Sequence, residues 1–201
     1  MPQTSFYDVK FIFVVVCFFV AVGSYFLCRD KRNWALLVGG MAFTVAADYF
    51  LVLHNARVPG VAVFCFAHVC YILRAFRGER ELTRRFVLFS FTIVTAVVAI
   101  LLVLDSIFAL AGMYAALFMV NLYVNFKFRR VNKNGTFILI GLILFALCDI
   151  AVMLFNVPRY LGVMPALVQI YPFIWIFYLP AQAMLAISAI QFFGRDKHER
   201  V

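Results

Sequence analysis

The segments GGMAFTVAADYFLVL (39–53) and GLILFALCDIAVML (141–154) decide the fold class of this chain. Each is almost wholly apolar, as expected for a helix that crosses a lipid bilayer, and each contains one aspartate. A carboxylate at membrane depth is costly unless it faces a partner or a water-filled cavity. We place no other Asp, Glu, Lys or Arg in the hydrophobic interior of a predicted span. Asp48 and Asp149, at similar depth on two helices, therefore indicate one shared site.

The rest of the chain has the same apolar character. Of its 201 residues, 66% are hydrophobic, which is more than a soluble domain of this size needs. Apolar runs of about 20 residues predict helices, because barrel strands would be shorter and would alternate. We predict an all-α polytopic bundle, with residues 1–201 as a single integral membrane domain. Seven transmembrane helices are predicted near 9–28, 34–54, 58–76, 86–104, 106–125, 136–156 and 166–193.

Basic residues are distributed unevenly between the predicted loops. Of the 18 Lys and Arg residues, all but Lys10, Arg57 and Arg159 follow the first, third, fifth or last span. Because Lys and Arg collect in cytoplasmic loops, this pattern predicts the N-terminus outside and the C-terminus inside. The last span contains Pro172 and Pro180, and a break there would give eight segments as the alternative.

The remaining composition excludes several classes of function. The net charge of +9 is explained by the cytoplasmic loops, and no nucleic-acid-binding motif is present, so we expect no nucleic-acid partner. The five cysteines include no CxxC pair and are interpreted as small buried hydrophobic residues. Only His68 lies well inside a span, whereas a zinc-dependent membrane amidase needs several histidines. We therefore predict no metal and no cofactor.

Helical periodicity places both aspartates on faces that contain small residues. In each case the aspartate follows a glycine by two turns: Gly40, Thr44 and Asp48 on the second helix, and Gly141, Phe145 and Asp149 on the sixth. Small residues allow membrane helices to approach closely, so these faces should point into the bundle. The shared spacing is also a weak indication of an ancient duplication.

Other polar residues fall near the middle of the predicted spans. His68 lies midway along the third span with Tyr71 one turn deeper, and Tyr178 and Gln182 lie one turn apart in the seventh. Each has an ordinary alternative, since such residues also serve as packing contacts and hydrogen bonds between helices. We interpreted Asn121 and Asn125, near the inner end of the fifth span, as such contacts or as head-group contacts.

An ordered set of motifs resembles the YhhN-like lysoplasmalogenase family over most of the chain. The segments concerned are AFTVAADYFLVL (42–53), FCFAHVCY (64–71), GLILFALCD (141–149) and FYLPAQ (177–182), with Tyr114 and Met119 between them. Two positions depart from the family pattern: Ala47 replaces a glycine before the first aspartate, and Cys148 replaces a serine or threonine before the second. These departures concern the choice of substrate more than the fold.

The resemblance implies a membrane hydrolase that cleaves the vinyl-ether bond of a lysoplasmalogen, giving a fatty aldehyde and a glycerophospho-head group. Asp48 and Asp149 would be the catalytic acid and base, because this chemistry needs one protonated and one ionised group. The substrate-orienting residues would be His68, Tyr71, Tyr114, Tyr178 and Gln182. The expected partners are the lysophospholipid substrate and membrane lipids, and the sequence identifies no protein partner.

Two further classes of function remain open. Intramembrane aspartates and histidines also build proton relays, so a proton-coupled transporter is the main alternative. A lipid-binding membrane protein without catalysis is another. A retinal protein is excluded because no predicted span has a lysine suited to the Schiff base. The charge pattern is equally compatible with a bacterial plasma membrane and the endoplasmic reticulum.

Overall fold

The computed structural model describes residues 3–28, 30–76, 81, 84–86, 106–130, 134–161, 171–188 and 190. Among these residues are six α-helices of defined bounds and further helical residues at 81 and 84–86, and no strand occurs among them. The helices are α1 (Gln3–Gly23), α2 (Lys31–Asp48), α3 (Arg57–Ala75), α4 (Ser106–Phe128), α5 (Gly135–Leu161) and α6 (Tyr171–Ile187). The predicted all-α class is therefore confirmed.

The helices of the structure agree with most of the predicted spans. Six of the seven predicted spans overlap one of α1 to α6. The predicted span at 86–104 lies outside the described residues, apart from its first residue. The last span continues as one helix through Pro180, so its described part shows no break at that residue. That the chain forms a single domain stays a prediction.

The helices have the length and the surface of a membrane bundle. Five of the described helical segments are long and apolar enough to cross a bilayer: Val9–Phe26, Lys31–Leu53, Arg57–Ala75, Ile107–Phe128 and Gly135–Asn156. The shorter apolar helix α6 packs with them. Large apolar side chains such as Phe19, Tyr123 and Ile176 are more than half exposed. Lipid is the solvent that suits such a surface, because in water it would form large exposed apolar patches.

The described helices pack as a closed ring in chain order. Each helix contacts the next one along the chain, and α6 returns to contact α1. The most extensive contacts are those of α5 with α6 and of α2 with α3. The interior of this ring is lined by apolar side chains, including Leu37, Met41 and Leu185, all nearly inaccessible to solvent. Side chains on the inner faces of α2 to α6 can therefore meet.

Hydrogen bonds from Arg74 connect helices at the predicted cytoplasmic end of the ring. Its Nε donates to Asn33 Oδ1 at 2.6 Å and its Nη1 donates to Ser188 Oγ at 2.8 Å. Asn134 Nδ2 donates to the carbonyl oxygens of Ser188 and Ile190. The last turn of α3 is thus tied to the first turn of α2 and the end of α6, and the residue before α5 is tied to the end of α6.

Two basic residues near the ends of the predicted spans, Lys10 and Arg74, pack inward, which the sequence does not predict. Arg74 is buried in the last turn of α3 rather than lying in a loop. Lys10 lies within α1 and is only 3% exposed, with Nζ 3.9 Å from the centre of the Trp175 ring. Hydropathy averages over a window, so it does not show that a single long cationic side chain at a helix end packs inward.

The orientation in the membrane stays a prediction, and it can be measured by cysteine labelling. We expect a membrane-impermeant maleimide to label a His54→Cys protein in intact cells, because His54 follows α2 at the predicted outer end. A Glu81→Cys protein should be labelled only after the cells are permeabilised. Native cysteines are free and mostly buried, so the unsubstituted protein gives the background. The reverse labelling pattern would show that the predicted orientation is wrong.

Candidate active site

Asp48 is the last residue of α2, and a single π-helical segment, Tyr49–Leu53, follows it. Such segments interrupt an α-helix and are frequent at functional sites. The Asp48 side chain is only 4% exposed. Its Oδ2 accepts a hydrogen bond of 2.5 Å from the hydroxyl of Tyr178, which lies on α6. The carboxyl is therefore held inside the ring by a residue from a different helix.

Asp149 is held in a similar way on the other side of the site. It lies on α5, and its Oδ2 accepts a hydrogen bond of 2.7 Å from the hydroxyl of Tyr114 on α4. Asp149 and Tyr114 are half-buried, whereas the Asp48 and Tyr178 pair is buried. Both candidate catalytic carboxyls thus have a tyrosine donor from another helix, and the pair at Asp149 is the more accessible one.

Two residues of α5 connect these carboxyl–tyrosine pairs. The thiol of Cys148 lies within electrostatic interaction range of both Asp48 and Asp149. The ring of Phe145 contacts the Tyr178 ring at a centroid distance of 5.5 Å and the His68 ring at 5.9 Å. Residues of α5 thus lie next to both carboxyl–tyrosine pairs, and one site shared by the two aspartates stays a prediction.

His68 lies on α3 beside Tyr114 and is 1% exposed. Its ring contacts Tyr114 with the ring centroids 5.0 Å apart. Its Nδ1 lies 3.1 Å from Asn121 Nδ2 on α4, and Asn125 Nδ2 donates to Asn121 Oδ1 at 2.7 Å. His68 Nε2 has no hydrogen-bond partner among the described residues. Asn121 on α4 thus orients the imidazole through Nδ1. The other ring nitrogen, Nε2, can form a hydrogen bond with a further group.

The remaining predicted residues, Tyr71 and Gln182, lie on the predicted cytoplasmic side of the carboxyls. Tyr71 is buried, its hydroxyl lies 3.5 Å from Thr44 Oγ1, and it is within electrostatic range of Asp48. A Cβ at Gly40 would come within 2.5 Å of the Tyr71 ring, so a glycine is needed where this ring crosses α2. Gln182 is completely buried one turn after Tyr178, and its amide has no hydrogen-bond partner among the described residues.

The structure thus locates all seven predicted site residues. Four direct links join some of them: Tyr178 bonds to Asp48, Tyr114 bonds to Asp149, and the His68 ring contacts the rings of Tyr114 and Tyr71. Tyr71 approaches the cluster from α3, and Gln182 lies on the same helix as Tyr178. The α2 face predicted to point inward does so, since Gly40, Thr44 and Asp48 are all buried; on α5, Gly141 and Phe145 are buried and Asp149 is half-buried. Met119, the partner of Tyr114 in the weaker motif, is 62% exposed and lies outside the cluster.

Sequence reasoning missed the part that Asn121 and Asn125 play. Both are buried on α4, and they form a chain of hydrogen bonds that ends at His68. Their spacing of four residues places them on one helical face, but an amide pair of this kind also occurs as simple helix contacts. Nothing in the sequence shows that His68, 53 residues earlier, lies opposite them.

The chemistry available to this cluster is that of carboxyls, hydroxyls and an imidazole. No group of three or more metal-ligating side chains occurs in the described ranges. The described parts of the chain therefore provide no built metal site. Two carboxyls in an apolar cavity, each steadied by a phenol, can donate and accept protons without a metal.

The ring of apolar helices around two tyrosine-bound carboxyls defines a helical membrane bundle with an intramembrane polar site. The sequence profile of the YhhN family matches residues 7–189, and the chain belongs to this family. The match confirms the resemblance to YhhN-like proteins that the motifs indicate. No curated protein and no solved structure matches the chain.

Proposed function

We propose that this protein is a membrane lipid hydrolase that cleaves the vinyl-ether bond of lysoplasmalogens. The observation that carries the proposal is the pair of intramembrane aspartates, each hydrogen-bonded to a tyrosine from another helix. Membership of the YhhN family and the resemblance of the motifs to lysoplasmalogenases support it. The apolar surroundings suit a lipid substrate, whose chain can remain in the membrane while its polar part enters the cluster.

The first chemical step is the transfer of a proton to carbon. A protonated carboxyl, Asp48 or Asp149, donates its proton to the β-carbon of the vinyl ether. The carbon–carbon π bond breaks as the new carbon–hydrogen bond forms, and the α-carbon becomes an oxocarbenium ion. The other, ionised aspartate stabilises this cation. Two carboxyls that interact in a low-dielectric site titrate as a unit, and this division of roles requires Asp48 and Asp149 to do so.

Water completes the reaction and restores both carboxyls. The ionised aspartate takes a proton from water while the water oxygen bonds to the oxocarbenium carbon, which gives a hemiacetal. The hemiacetal then collapses: the first aspartate accepts the hydroxyl proton, and the second returns its proton to the departing glycerol oxygen. The products are a fatty aldehyde and the glycerophospho-head group, and each aspartate regains its starting protonation state.

The direct test is an assay of the purified protein in detergent with a lysoplasmalogen and with the matching ester lysolipid. We expect fatty aldehyde from the vinyl ether and no fatty acid from the ester. Release of fatty acid alone would make the protein an esterase. Turnover of neither lipid by a folded protein would contradict the proposal and favour the proton-coupled transporter or the non-catalytic lipid-binding protein. Because transport leaves the lipid intact, a proton-coupled transporter would release no aldehyde.

The two tyrosine donors give a further prediction. We expect Tyr114→Phe and Tyr178→Phe each to lower kcat/KM for the vinyl ether about tenfold, because each removes the hydrogen bond that holds a carboxyl. The fold should survive, since only one oxygen atom is lost. A Tyr123→Phe protein is the matched control, because Tyr123 is more than half exposed on α4. Equal activity of all three variants would show that the tyrosines only pack.

A further inference from the structure

Asn125, Asn121 and His68 are joined by hydrogen bonds into a short series. The role inferred for this series rests on the proposed function only for the identity of the substrate. The series joins α4 to α3 in the interior of the bundle, and the three residues are at most 3% exposed. Each hydrogen bond needs one donor and one acceptor. A group at one end whose role is known therefore determines whether each of the other groups donates or accepts. That group is the backbone carbonyl of Asn121.

The orientation of the first amide follows from this carbonyl. Asn125 Nδ2 lies 2.9 Å from the Asn121 carbonyl oxygen, which can only accept a hydrogen bond. The amide oxygen of Asn125 cannot take this place, because two acceptors would then face each other. The same Nδ2 also lies 2.7 Å from a side-chain atom of Asn121, and that atom must therefore be the acceptor Oδ1.

The orientation of the second amide then determines the state of the histidine. Since Asn121 presents Oδ1 to Asn125, it presents Nδ2 to His68, and this Nδ2 lies 3.1 Å from His68 Nδ1. An amide nitrogen only donates, so His68 Nδ1 has to be an unprotonated acceptor. In a neutral imidazole the proton then lies on Nε2, because the hydrogen bond at one ring nitrogen fixes the other.

We propose that Asn121 and Asn125 are positioning residues that lock His68 as a neutral imidazole with its N–H at Nε2. This N–H is buried and has no partner among the described residues, so a polar oxygen is needed beside it. The ring contacts Tyr114, whose hydroxyl binds Asp149. The Nε2–H therefore donates a hydrogen bond to an oxygen of the glycerol part of the lysolipid, next to the carboxyls. His68 in this state is a hydrogen-bond donor and not a general base.

The tautomer can be read directly by nitrogen NMR of the protein labelled with ¹⁵N-histidine. The chain has three histidines, and a His68→Gln protein identifies the signals of His68 by their loss. We expect the wild-type protein to show a single Nε2–H tautomer at His68. An Asn125→Leu protein should show a mixture, because Asn121 can then turn its oxygen toward Nδ1. Asn156→Leu is the matched control: Asn156 also donates to a carbonyl one turn earlier, but on α5, and its loss should leave the spectrum unchanged.

The donor role is tested by two replacements of the ring. Glutamine can place an amide N–H near the position of Nε2, whereas asparagine reaches only the position of Nδ1. We expect His68→Gln to retain kcat/KM for lysoplasmalogen within about tenfold and His68→Asn to lose about 10²-fold, the effect of removing one oriented donor. Equal kcat/KM of the two variants would overturn the donor role.

The NMR spectrum and the activity assay test different claims, so one claim can be contradicted while the other is supported. An Nδ1–H or mixed tautomer in the wild-type protein would overturn the inference whatever the activity, and this reading needs only the His68→Gln protein, which assigns the signals. Absence of vinyl-ether turnover by the wild-type protein would contradict the proposed function. A single Nε2–H tautomer in such an inactive protein would still support the positioning role of Asn121 and Asn125.

Discussion

Replacing either aspartate by asparagine should reduce vinyl-ether hydrolysis about 10³-fold while leaving the fold intact. Proton transfer by a positioned acid or base typically contributes about 10² to 10⁴ in rate. Asparagine has nearly the shape of aspartate and its carbonyl can accept the hydrogen bond from Tyr178 or Tyr114, but it can neither donate an acidic proton nor hold a negative charge. The measurement is aldehyde release by the Asp48→Asn and Asp149→Asn proteins, with size-exclusion profile and helix content by circular dichroism to confirm folding.

Asp30→Asn is the matched control for these two substitutions. Asp30 caps the first turn of α2, where its Oδ1 accepts from the backbone N–H groups of Arg32 and Asn33. Asparagine is an equally good cap, so this protein should keep both its stability and its activity. If a folded Asp48→Asn or Asp149→Asn protein hydrolyses the vinyl ether at the normal rate, the two carboxyls are not the acid and base.

The predicted site shows what a membrane sequence reveals well. An aspartate in an apolar run is conspicuous because a charge at membrane depth is costly, and the lengths of the runs predict the helices. Depth follows from counting along each run, so a similar depth of Asp48 and Asp149 in the bilayer can be predicted. The helical face follows from periodicity, which correctly turns Gly40 and Thr44 inward.

The pairing of side chains between helices is not predictable in the same way. Tyr178 is 130 residues from the carboxyl that it binds, and Tyr114 is 35 residues from Asp149. A linear sequence shows which residues share a depth but not which helices are neighbours, so either tyrosine is an equally good partner for either aspartate. The order of helices around the ring decides the pairing, and it depends on packing over the whole interior.

The inward direction of the two buried basic side chains could not be predicted from the sequence, for a related physical reason. Arg74 and Lys10 lie within a turn or two of a predicted span boundary, where a long cationic side chain can point to the interface or into the bundle. A count of loop charges treats both residues as interfacial. Asn33 and Ser188 come from distant parts of the chain to meet Arg74, so its inward direction is set by contacts that no local pattern contains.

Replacing Arg74 by alanine should cause the largest loss of stability among single substitutions at the predicted cytoplasmic end. It removes two charge-assisted hydrogen bonds, to Asn33 and Ser188, and leaves their buried polar atoms without these partners. Hydrogen bonds to a charged group contribute about 1.5–3 kcal/mol each, and the two share one side chain, so we expect a total loss of about 3 kcal/mol. The measurement is thermal or denaturant unfolding in detergent, followed by intrinsic fluorescence.

Arg85→Ala is the control because it removes the same side chain from an exposed position. Arg85 forms an ion pair at 2.8 Å with Glu81 on the same helical turn, and both side chains are largely exposed. Pairs of this kind contribute little because water and salt screen them, so the unfolding transition should hardly move. Equal loss of stability in the two variants would mean that Arg74 does not fasten the helices. A selective loss in Arg74→Ala would show that α2, α3 and α6 are held together at the end opposite the carboxyls, which keeps the ring closed below the site.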